Sequence, residues 1–341
     1  GFVLPLTAAA VALVISLFEL GRPSYWLDEA ATVSAMRRPL PDLLRVFQDM
    51  DLVHAGYYLV LWPWAHVFGT GETALRLPSA LVTALAAAGV TVLGRRCAGK
   101  TAGLASGLVY ASMVSVTRYA QEARSYAMVG AVAVLASYLL VRGLGADEGA
   151  AGGAGGDDAT SKRRRWPWFA GYALAVALLG LLNLEALLLV LAHLVTLAFS
   201  RAGRGIWVRW LLAAAGAGVA LAPFALAASR QDKQIDWLPK PGGLMLWRLV
   251  KFFAGDARLA VPVLGLALLG ALIAWRRESA VSLTALALPW FLLPSVVLLS
   301  WSAVGEPVFI FRYVFFSLPG LALLVGAGLA RLWRTGLRTS G

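Results

Sequence analysis

Long apolar runs, separated by short polar connections, make up most of the chain. Because several of these runs reach the ~20 residues that a helix needs to cross a bilayer, they indicate transmembrane helices. The pattern predicts an all-α, polytopic integral membrane protein with about ten transmembrane helices. The predicted spans cover approximately residues 2–20, 74–94, 101–117, 125–142, 168–182, 186–200, 207–228, 259–275, 280–301 and 313–332.

Short basic segments between the spans set the predicted orientation. All of them fall on one side of the membrane, and positively charged connections stay in the cytoplasm. We therefore expect a multi-pass protein of the plasma (inner) membrane with both termini cytoplasmic. The basic segments are Arg95 with Arg96 and Lys100, residues 162–165, Arg201 with Arg204 and Arg209, Arg276 with Arg277, and Arg331 with Arg334 and Arg338.

Composition agrees with a membrane protein, since 60% of the 341 residues are apolar and 14% are charged. The formal net charge of +12 lies in clusters between apolar runs. Membrane orientation explains these clusters better than nucleic acid does, so membrane lipids are the expected surroundings. The single cysteine, Cys97, excludes an internal disulfide and a multi-cysteine metal cluster.

The first outer loop, residues 21–73, is the longest connection on the outer side. No small-residue cleavage site precedes it, so the first run is expected to be an anchor rather than a signal peptide. A helix over 40–50 would place Leu43 and Phe47 on one apolar side, as in an amphipathic surface helix. Residues 57–68 are apolar and rich in tryptophan, but they are short for a span. We expect a second juxtamembrane helix there.

Two adjacent carboxylates, Asp28 and Glu29, stand close behind the first span. A carboxylate near a bilayer costs on the order of 2–3 kcal/mol, and less toward the interface, so the pair calls for an explanation. One explanation is that both residues begin the next helix, because acids suit an N-cap and a first turn. The other is chemistry on the outer face, where acids and bases from several loops meet.

Several motifs occur along the chain in an order that resembles a known superfamily. The chain is similar to the GT-C membrane glycosyltransferases, specifically the family-39-like bacterial enzymes related to protein mannosyltransferases and lipid A aminoarabinose transferases. The motifs are Trp26-Leu27-Asp28-Glu29-Ala30, Asp51-Leu52-Val53-His54 with Tyr57-Tyr58, Phe68-Gly69 with Glu72, Arg76-Leu77-Pro78-Ser79, Tyr119-Ala120-Gln121-Glu122-Ala123-Arg124-Ser125-Tyr126, Phe311-Arg312-Tyr313 and Leu318-Pro319-Gly320.

The resemblance implies the GT-C fold and a division of the chain. Residues 1–142 would form the catalytic module with the first outer loop. Residues 143–166, which include the low-complexity stretch 145–161, would be a flexible cytoplasmic loop. Residues 167–341 would hold the remaining transmembrane helices, with outer loops at 229–258 and 302–312.

The resemblance also implies a reaction. Such enzymes take a sugar, here mannose by default, from a polyprenyl-phosphate donor and pass it with inversion to a lipid, glycan or protein acceptor outside the cytoplasm. Phosphate is a good leaving group that needs charge stabilisation, whereas the acceptor hydroxyl needs a general base. Asp28 is the expected base, and Glu29 is expected to orient the acceptor or the neighbouring backbone.

Arginines of the outer loops are the candidates for the donor phosphate, since a guanidinium matches phosphate oxygens bidentately. Arg124 is the first choice and Arg312 the second, and Arg118 and Tyr126 belong to the same candidate group. The alternative is that Arg118 pairs with Glu122 one helical turn away and that Arg124 snorkels to the membrane surface.

The remaining candidates lie in the first outer loop. Asp51 and His54 could hold a divalent cation together with Asp28, but hydrogen bonding within the loop is the favoured role, and no other cofactor is expected. Tyr57 and Glu72 are assigned to the loop or the acceptor. His66 and His193 lie on apolar segments and are expected to be packing residues.

Two other function classes stay open at this point. A lipid-linked glycan ligase or polymerase is chemically close to the predicted transferase. A transporter or flippase is less favoured, because transporters place ionisable residues within spans or use broken repeated helices. Here nearly every charge lies at the end of a predicted span.

Overall fold

Helices form all the regular secondary structure in the computed structural model, which describes residues 2–49, 52–145, 158–200, 202–231, 240–272 and 281–339. Short 3₁₀ segments at Leu52–His54, Leu184–Leu187 and Phe311–Ser317 join some of the helices. The α-helices are α1 (Val3–Leu17), α2 (Leu27–Met36), α3 (Leu40–Asp49), α4 (Ala55–Phe68), α5 (Glu72–Ala98), α6 (Lys100–Ser112), α7 (Val114–Ala120), α8 (Tyr126–Leu144), α9 (Asp158–Leu182), α10 (Leu188–Phe199), α11 (Arg204–Ala228), α12 (Gly243–Ala254), α13 (Ala257–Ala271), α14 (Leu283–Val304) and α15 (Leu318–Thr339).

The number of spans is lower than the sequence predicted. Within the described residues, six helices are long and apolar enough to cross a membrane, and the bent pair α12 and α13 would make a seventh. The predicted count of ten is therefore not confirmed. Helix α1 has 15 residues and α6 has 13. At 1.5 Å per residue, both are shorter than the roughly 30 Å hydrocarbon core.

The two surface helices predicted in the first outer loop are present as α3 and α4. Leu43 and Phe47 of α3 are buried, which is the apolar side that the pattern indicated. Two tryptophans attach α4 to the protein: Trp62 Nε1 donates to the Arg38 carbonyl at 3.0 Å, and Trp64 Nε1 donates to the Ala74 carbonyl at 2.8 Å. The tryptophans of α4 thus tie it to the segment after α2 and to the first turn of α5.

Helix α15 passes through the centre of the bundle, where small residues permit close packing. It packs against α6, α13 and α14. A Cβ atom on Gly326 would clash with the backbone of Ser106 in α6. A Cβ atom on Gly328 would clash with the Leu266 carbonyl in α13. Glycine allows the backbones to approach at these crossings, as small residues commonly do between membrane helices.

A buried polar network joins α8, α9, α10 and α11. His193 Nε2 lies 3.0 Å from Ser137 Oγ, and its Nδ1 lies 3.0 Å from the Tyr172 hydroxyl. Trp210 Nε1 donates to the same hydroxyl at 3.2 Å. Both ring nitrogens of His193 therefore have partners, which confirms the prediction of a packing residue.

The predicted cytoplasmic loop, residues 143–166, is only partly loop. Helix α8 continues to Leu144, and α9 begins at Asp158, so the boundary predicted at 166 is wrong by about two helical turns. Most of the low-complexity stretch lies outside the described residues. Its last residues, from Asp158 to Ser161, belong to the first turn of α9.

A glycine separates α12 from α13. Gly255 has a φ of 84°, in the left-handed region that favours glycine, and the two helices meet at a bend of 67°. The bend places α12 against α7 and the 3₁₀ segment Phe311–Ser317 rather than in line with α13. Helix α12 thereby joins the loops that surround the candidate site.

Candidate active site

The acidic pair occupies the first turn of α2. Trp26 has an extended backbone at the N-cap, and the helix begins at the next residue. Negative charge is favourable at this end of a helix because the unpaired N–H groups carry partial positive charge. Glu29 Oε2 accepts a hydrogen bond from the backbone N–H of Trp26 at 3.4 Å. The capping alternative thus applies to Glu29, while Asp28 has a different partner.

Glu29 forms a fully buried, bidentate ion pair with Arg76 of α5. Arg76 Nη2 lies 2.6 Å from Glu29 Oε2, and Arg76 Nε lies 2.8 Å from Glu29 Oε1. Arg76 Nη1 also donates to the carbonyls of Leu20 and Pro23, at 3.0 and 2.8 Å. The pair therefore fixes the segment between the first helix and α2.

Glu29 also fixes the turn that carries Arg124. Its Oε1 accepts a hydrogen bond from the backbone N–H of Ala123 at 2.8 Å. Ser79 Oγ donates to the carbonyl of Glu122 in the same turn at 2.7 Å. Of the two roles predicted for Glu29, the observed contacts correspond to orientation of the neighbouring backbone.

Asp28 lies between the two predicted phosphate arginines. Its Oδ2 is 3.0 Å from Arg312 Nη1, and about a quarter of each side chain is exposed. Arg124 Nη1 donates to the backbone carbonyl of Asp28 at 3.3 Å. Because Arg124 is buried, the snorkelling alternative does not describe it. The structure thus brings Asp28, Arg124 and Arg312 together from three distant parts of the chain.

His54 supports Arg124 from the first outer loop. Arg124 Nη2 lies 2.6 Å from His54 Nε2. Since a guanidinium only donates, this nitrogen accepts the hydrogen bond. Tyr58 stacks on the His54 ring at 5.8 Å. His54 thus contacts a residue of another loop, whereas the prediction placed its hydrogen-bond partner within the first outer loop.

Tyr57 and Tyr126 border the same cluster. Tyr57 is fully buried in α4 and interacts electrostatically with Arg124. Tyr126, the first residue of α8, interacts electrostatically with Asp28 and both arginines. Burial raises the pKa of Tyr57 above its ordinary value, so this phenol stays protonated. The phenols add hydrogen-bonding capacity to the site without adding charge.

Two buried N–H groups are the most informative feature of the cluster. Among the described residues, Nε of Arg124 and Nε of Arg312 have no hydrogen-bond partner. An unmet buried donor is unfavourable by about 1–3 kcal/mol, and more for a charged group, so such donors commonly serve a ligand. Two cationic donors beside one carboxylate are suited to an anion such as a phosphate.

Two of the described site residues, Arg118 and Glu72, do not join the cluster. Arg118 Nε lies 3.3 Å from Glu122 Oε1, as the pairing alternative expected, and its side chain is largely exposed. Glu72 is half-buried and interacts electrostatically with Tyr25. Asp51 lies outside the described residues. No group of three His, Cys, Asp or Glu side chains able to hold a metal ion occurs in the described parts of the chain.

A cavity of about 540 Å³ lies beside the cluster, between the segment before α2 and helix α7. It is lined by Trp26, Glu29, Arg76, Arg118, Gln121 and Glu122, among others. Burial raises the pKa of Glu122 to about 7, although Arg118 acts in the opposite direction. This carboxyl group is thus partly protonated near neutral pH.

Sequence reasoning assigned no role to several residues of this region. Arg76 and Glu122 stood within the quoted motifs, but nothing local reveals the partner of Arg76 or the burial of Glu122. Glu185, in the turn between α9 and α10, interacts electrostatically with His54 and Tyr313. The sequence feature that could have drawn attention to Glu185 is that it is a single acid between two apolar runs.

Solved structures with the same fold include membrane transferases. ArnT from Cupriavidus metallidurans, in the apo state, is 19% identical with a TM-score of 0.65, and the match covers 98% of this chain and 61% of that one. The same protein bound to undecaprenyl phosphate is 18% identical with a TM-score of 0.65, covering 98% and 62%. The oligosaccharyltransferase AglB from Archaeoglobus fulgidus, in complex with an inhibitory peptide and a dolichol-phosphate, is 12% identical with a TM-score of 0.54, covering 97% and 50%.

The chain therefore has the GT-C fold of membrane glycosyltransferases, as its motifs predicted. Residues 56–155 match the family described as dolichyl-phosphate-mannose-protein mannosyltransferase. No curated protein sequence matches the chain. The chain spans about three fifths of the length of ArnT and half of the length of AglB.

Proposed function

We propose that this protein is a glycosyltransferase that moves a sugar from a polyprenyl-phosphate donor to a hydroxyl group of an extracytoplasmic acceptor, with inversion. Asp28 is the general base, and Arg124 and Arg312 bind the donor phosphate. The site faces the outside of the plasma membrane, and both termini are cytoplasmic. Mannose is the default sugar, in keeping with the description of the matching family.

One observation carries this proposal: a partly exposed carboxylate lies beside two arginines whose Nε groups have no partner among the described residues. The sugar–phosphate bond needs little help from an acid, because phosphate leaves readily once its charge is stabilised. The acceptor hydroxyl needs a base, which typically contributes ~10²–10⁴-fold. One carboxylate and a cationic clamp supply both requirements.

Arg312 has a particular part in this scheme because it contacts the base, Asp28, and would also contact the donor phosphate. Its Nη1 holds the Asp28 carboxylate, while its Nε remains for the phosphate. A phosphate bound there would lie on the same guanidinium as the base, which keeps the two reacting groups close. Arg124 reaches the backbone of Asp28 and completes the clamp from the other side.

The solved structures give independent support for a lipid-phosphate donor. ArnT has been solved with undecaprenyl phosphate and AglB with a dolichol-phosphate, so two proteins of this fold hold a polyprenyl-type phosphate. The proposed acceptor is a lipid, a glycan or a protein. Glu29 and Arg76 position the site, and neither needs to touch the substrate.

The test is transfer from labelled polyprenyl-phosphate sugars, mannose first, into membranes that contain the purified protein. We expect Asp28→Asn to lower transfer by ~10²–10⁴-fold. Asp42→Asn is the matched control, because Asp42 is also paired with an arginine, Arg45, at 3.0 Å but is exposed in the same outer loop. Equal transfer by wild type and Asp28→Asn would refute the base assignment.

The phosphate clamp needs a separate comparison. Arg124→Gln and Arg312→Gln should each weaken donor binding by ~10-fold or more, since a hydrogen bond to a charged group contributes about 1.5–3 kcal/mol. Arg45→Gln serves as the control. Donor binding that both substitutions leave unchanged would remove the clamp from the proposal.

A lipid-linked glycan ligase or polymerase is the second candidate, and the similarity to the oligosaccharyltransferase AglB favours it over a transporter. This reaction also uses a lipid-linked donor, so the arginines would keep their role. Activity that survives Asp28→Ala but is lost in the arginine variants would favour this second candidate.

A further inference from the structure

Glu122, which lines the cavity beside the cluster, has a buried carboxylate oxygen that has no use in the scheme above. Glu122 is 7% exposed, and its Oε1 accepts a hydrogen bond from Arg118. Its Oε2 has no hydrogen-bond partner among the described residues. Such an unmet acceptor is unfavourable, and more so when charged, unless a ligand supplies the missing donor. Glu122 therefore points to a ligand that donates hydrogen bonds.

The charged groups that line the cavity indicate whether the ligand is charged or neutral. Two carboxylates and two guanidinium groups line it, and each arginine is already paired, Arg76 with Glu29 and Arg118 with Glu122. These formal charges cancel, and a phosphate would have to approach both acids. The contrast is with Arg124 and Arg312: only Arg312 contacts a carboxylate, that of Asp28, whereas Arg124 donates to the Asp28 backbone carbonyl. The cavity consequently suits a neutral ligand.

The other lining groups suit a ligand with hydroxyl groups and a ring. Thr117 and Gln121 supply short polar side chains, and Trp26 supplies a partly exposed aromatic ring. A volume of about 540 Å³ lies within the usual range of ligand pockets and leaves room for a sugar ring. An aromatic face with a few polar groups around it is the arrangement that packs against a sugar while binding its hydroxyls.

We propose that this cavity binds a sugar ring of a glycan acceptor, with Glu122 Oε2 accepting a hydrogen bond from one of its hydroxyl groups and Trp26 packing against the ring. The assignment rests on the proposed function and extends it to the acceptor. Trp26 and Glu29 line the cavity, and Asp28 lies between them in the chain. A bound acceptor ring would thus lie beside the first turn of α2, which carries the base.

The experiment measures binding of simple glycosides to the purified full chain by saturation-transfer NMR. The protein is held in phosphatidylcholine nanodiscs, because detergents with sugar headgroups would compete. Methyl α-mannoside, methyl β-galactoside and methyl α-arabinofuranoside are titrated separately. We expect at least one of these glycosides to bind wild type. Glu122→Gln should raise the dissociation constant of that glycoside by roughly 10-fold or more.

Two further variants complete the design. Trp26→Ala should also weaken binding, whereas Glu306→Gln should not, since Glu306 is an exposed acid on another outer loop. Absence of binding by wild type to all three glycosides would overturn the proposal. Equal dissociation constants for wild type and Glu122→Gln would overturn it as well.

The same preparation separates this proposal from the proposed function. Asp28→Asn should lose sugar transfer and still bind the glycoside. If Asp28→Asn transfers sugar as wild type does while Glu122→Gln loses glycoside binding, the base assignment fails and the sugar site stands.

Discussion

Removing one partner of the Glu29–Arg76 ion pair should be far more damaging than removing both. In Glu29→Leu, the buried guanidinium keeps only backbone carbonyls as partners, and in Arg76→Leu the carboxylate is left buried without its counter-ion. Breaking a buried pair in this way typically costs about 3–5 kcal/mol. The double variant leaves only neutral groups unmet, such as the N–H of Ala123, and should cost about 1–3 kcal/mol.

The free energy of unfolding in mixed detergent micelles measures all three variants. The exposed pair Asp42–Arg45 gives the matched cycle, where each substitution should change stability by less than about 1 kcal/mol. A double variant of the buried pair that loses as much stability as the two single variants together would refute the reasoning. That result would mean that the two side chains act independently, in spite of their bidentate contact.

Three other expectations concern stability. Burial raises the pKa of Glu122 from 4.5 to about 7, so between these pH values the folded state binds more protons than the unfolded state. The free energy of unfolding of the wild type should therefore fall by about 3 kcal/mol from pH 4.5 to 7. Glu122→Gln should remove that fall in unfolding measured across the pH range, and an unchanged slope would contradict it. Gly326→Ala should lower stability by about 1–3 kcal/mol, whereas Gly216→Ala, where a Cβ meets nothing within 4 Å, should be neutral or stabilising by the same measurement. Tyr172→Phe should cost about 1–3 kcal/mol by leaving His193 short of a partner, and a neutral effect would argue against the network.

Hydropathy predicted which stretches are helical but not where each helix ends. The run over 101–117 is continuous in composition, yet the chain breaks into α6 and α7 at Met113, whose ψ of 126° is extended. Similarly, the last part of the predicted loop 143–166 belongs to α9, which begins at Asp158. The average polarity of a window carries no information on such breaks, and the count of ten spans is not confirmed among the described residues.

The site was predictable where motifs are local. Asp28, Glu29 and Arg124 stood out because they lie within the short motifs that carry the resemblance. Their partners were not predictable, since Arg76 lies 47 residues from Glu29, and neither residue shows in its own neighbourhood which charge it will meet. An isolated ion pair leaves no periodic pattern in the sequence, unlike the apolar side of α3.

The contact between Asp28 and Arg312 joins residues that are 284 positions apart. A ribosome delivers the acid early and the arginine late, so the first helices can insert and pack while the clamp is still missing its second cation. The charge arrangement of the site is consequently completed only after Arg312 has been synthesised. During biogenesis, the chain would pass through a stage in which Glu29 and Arg76 are already paired and Asp28 has not yet met Arg312.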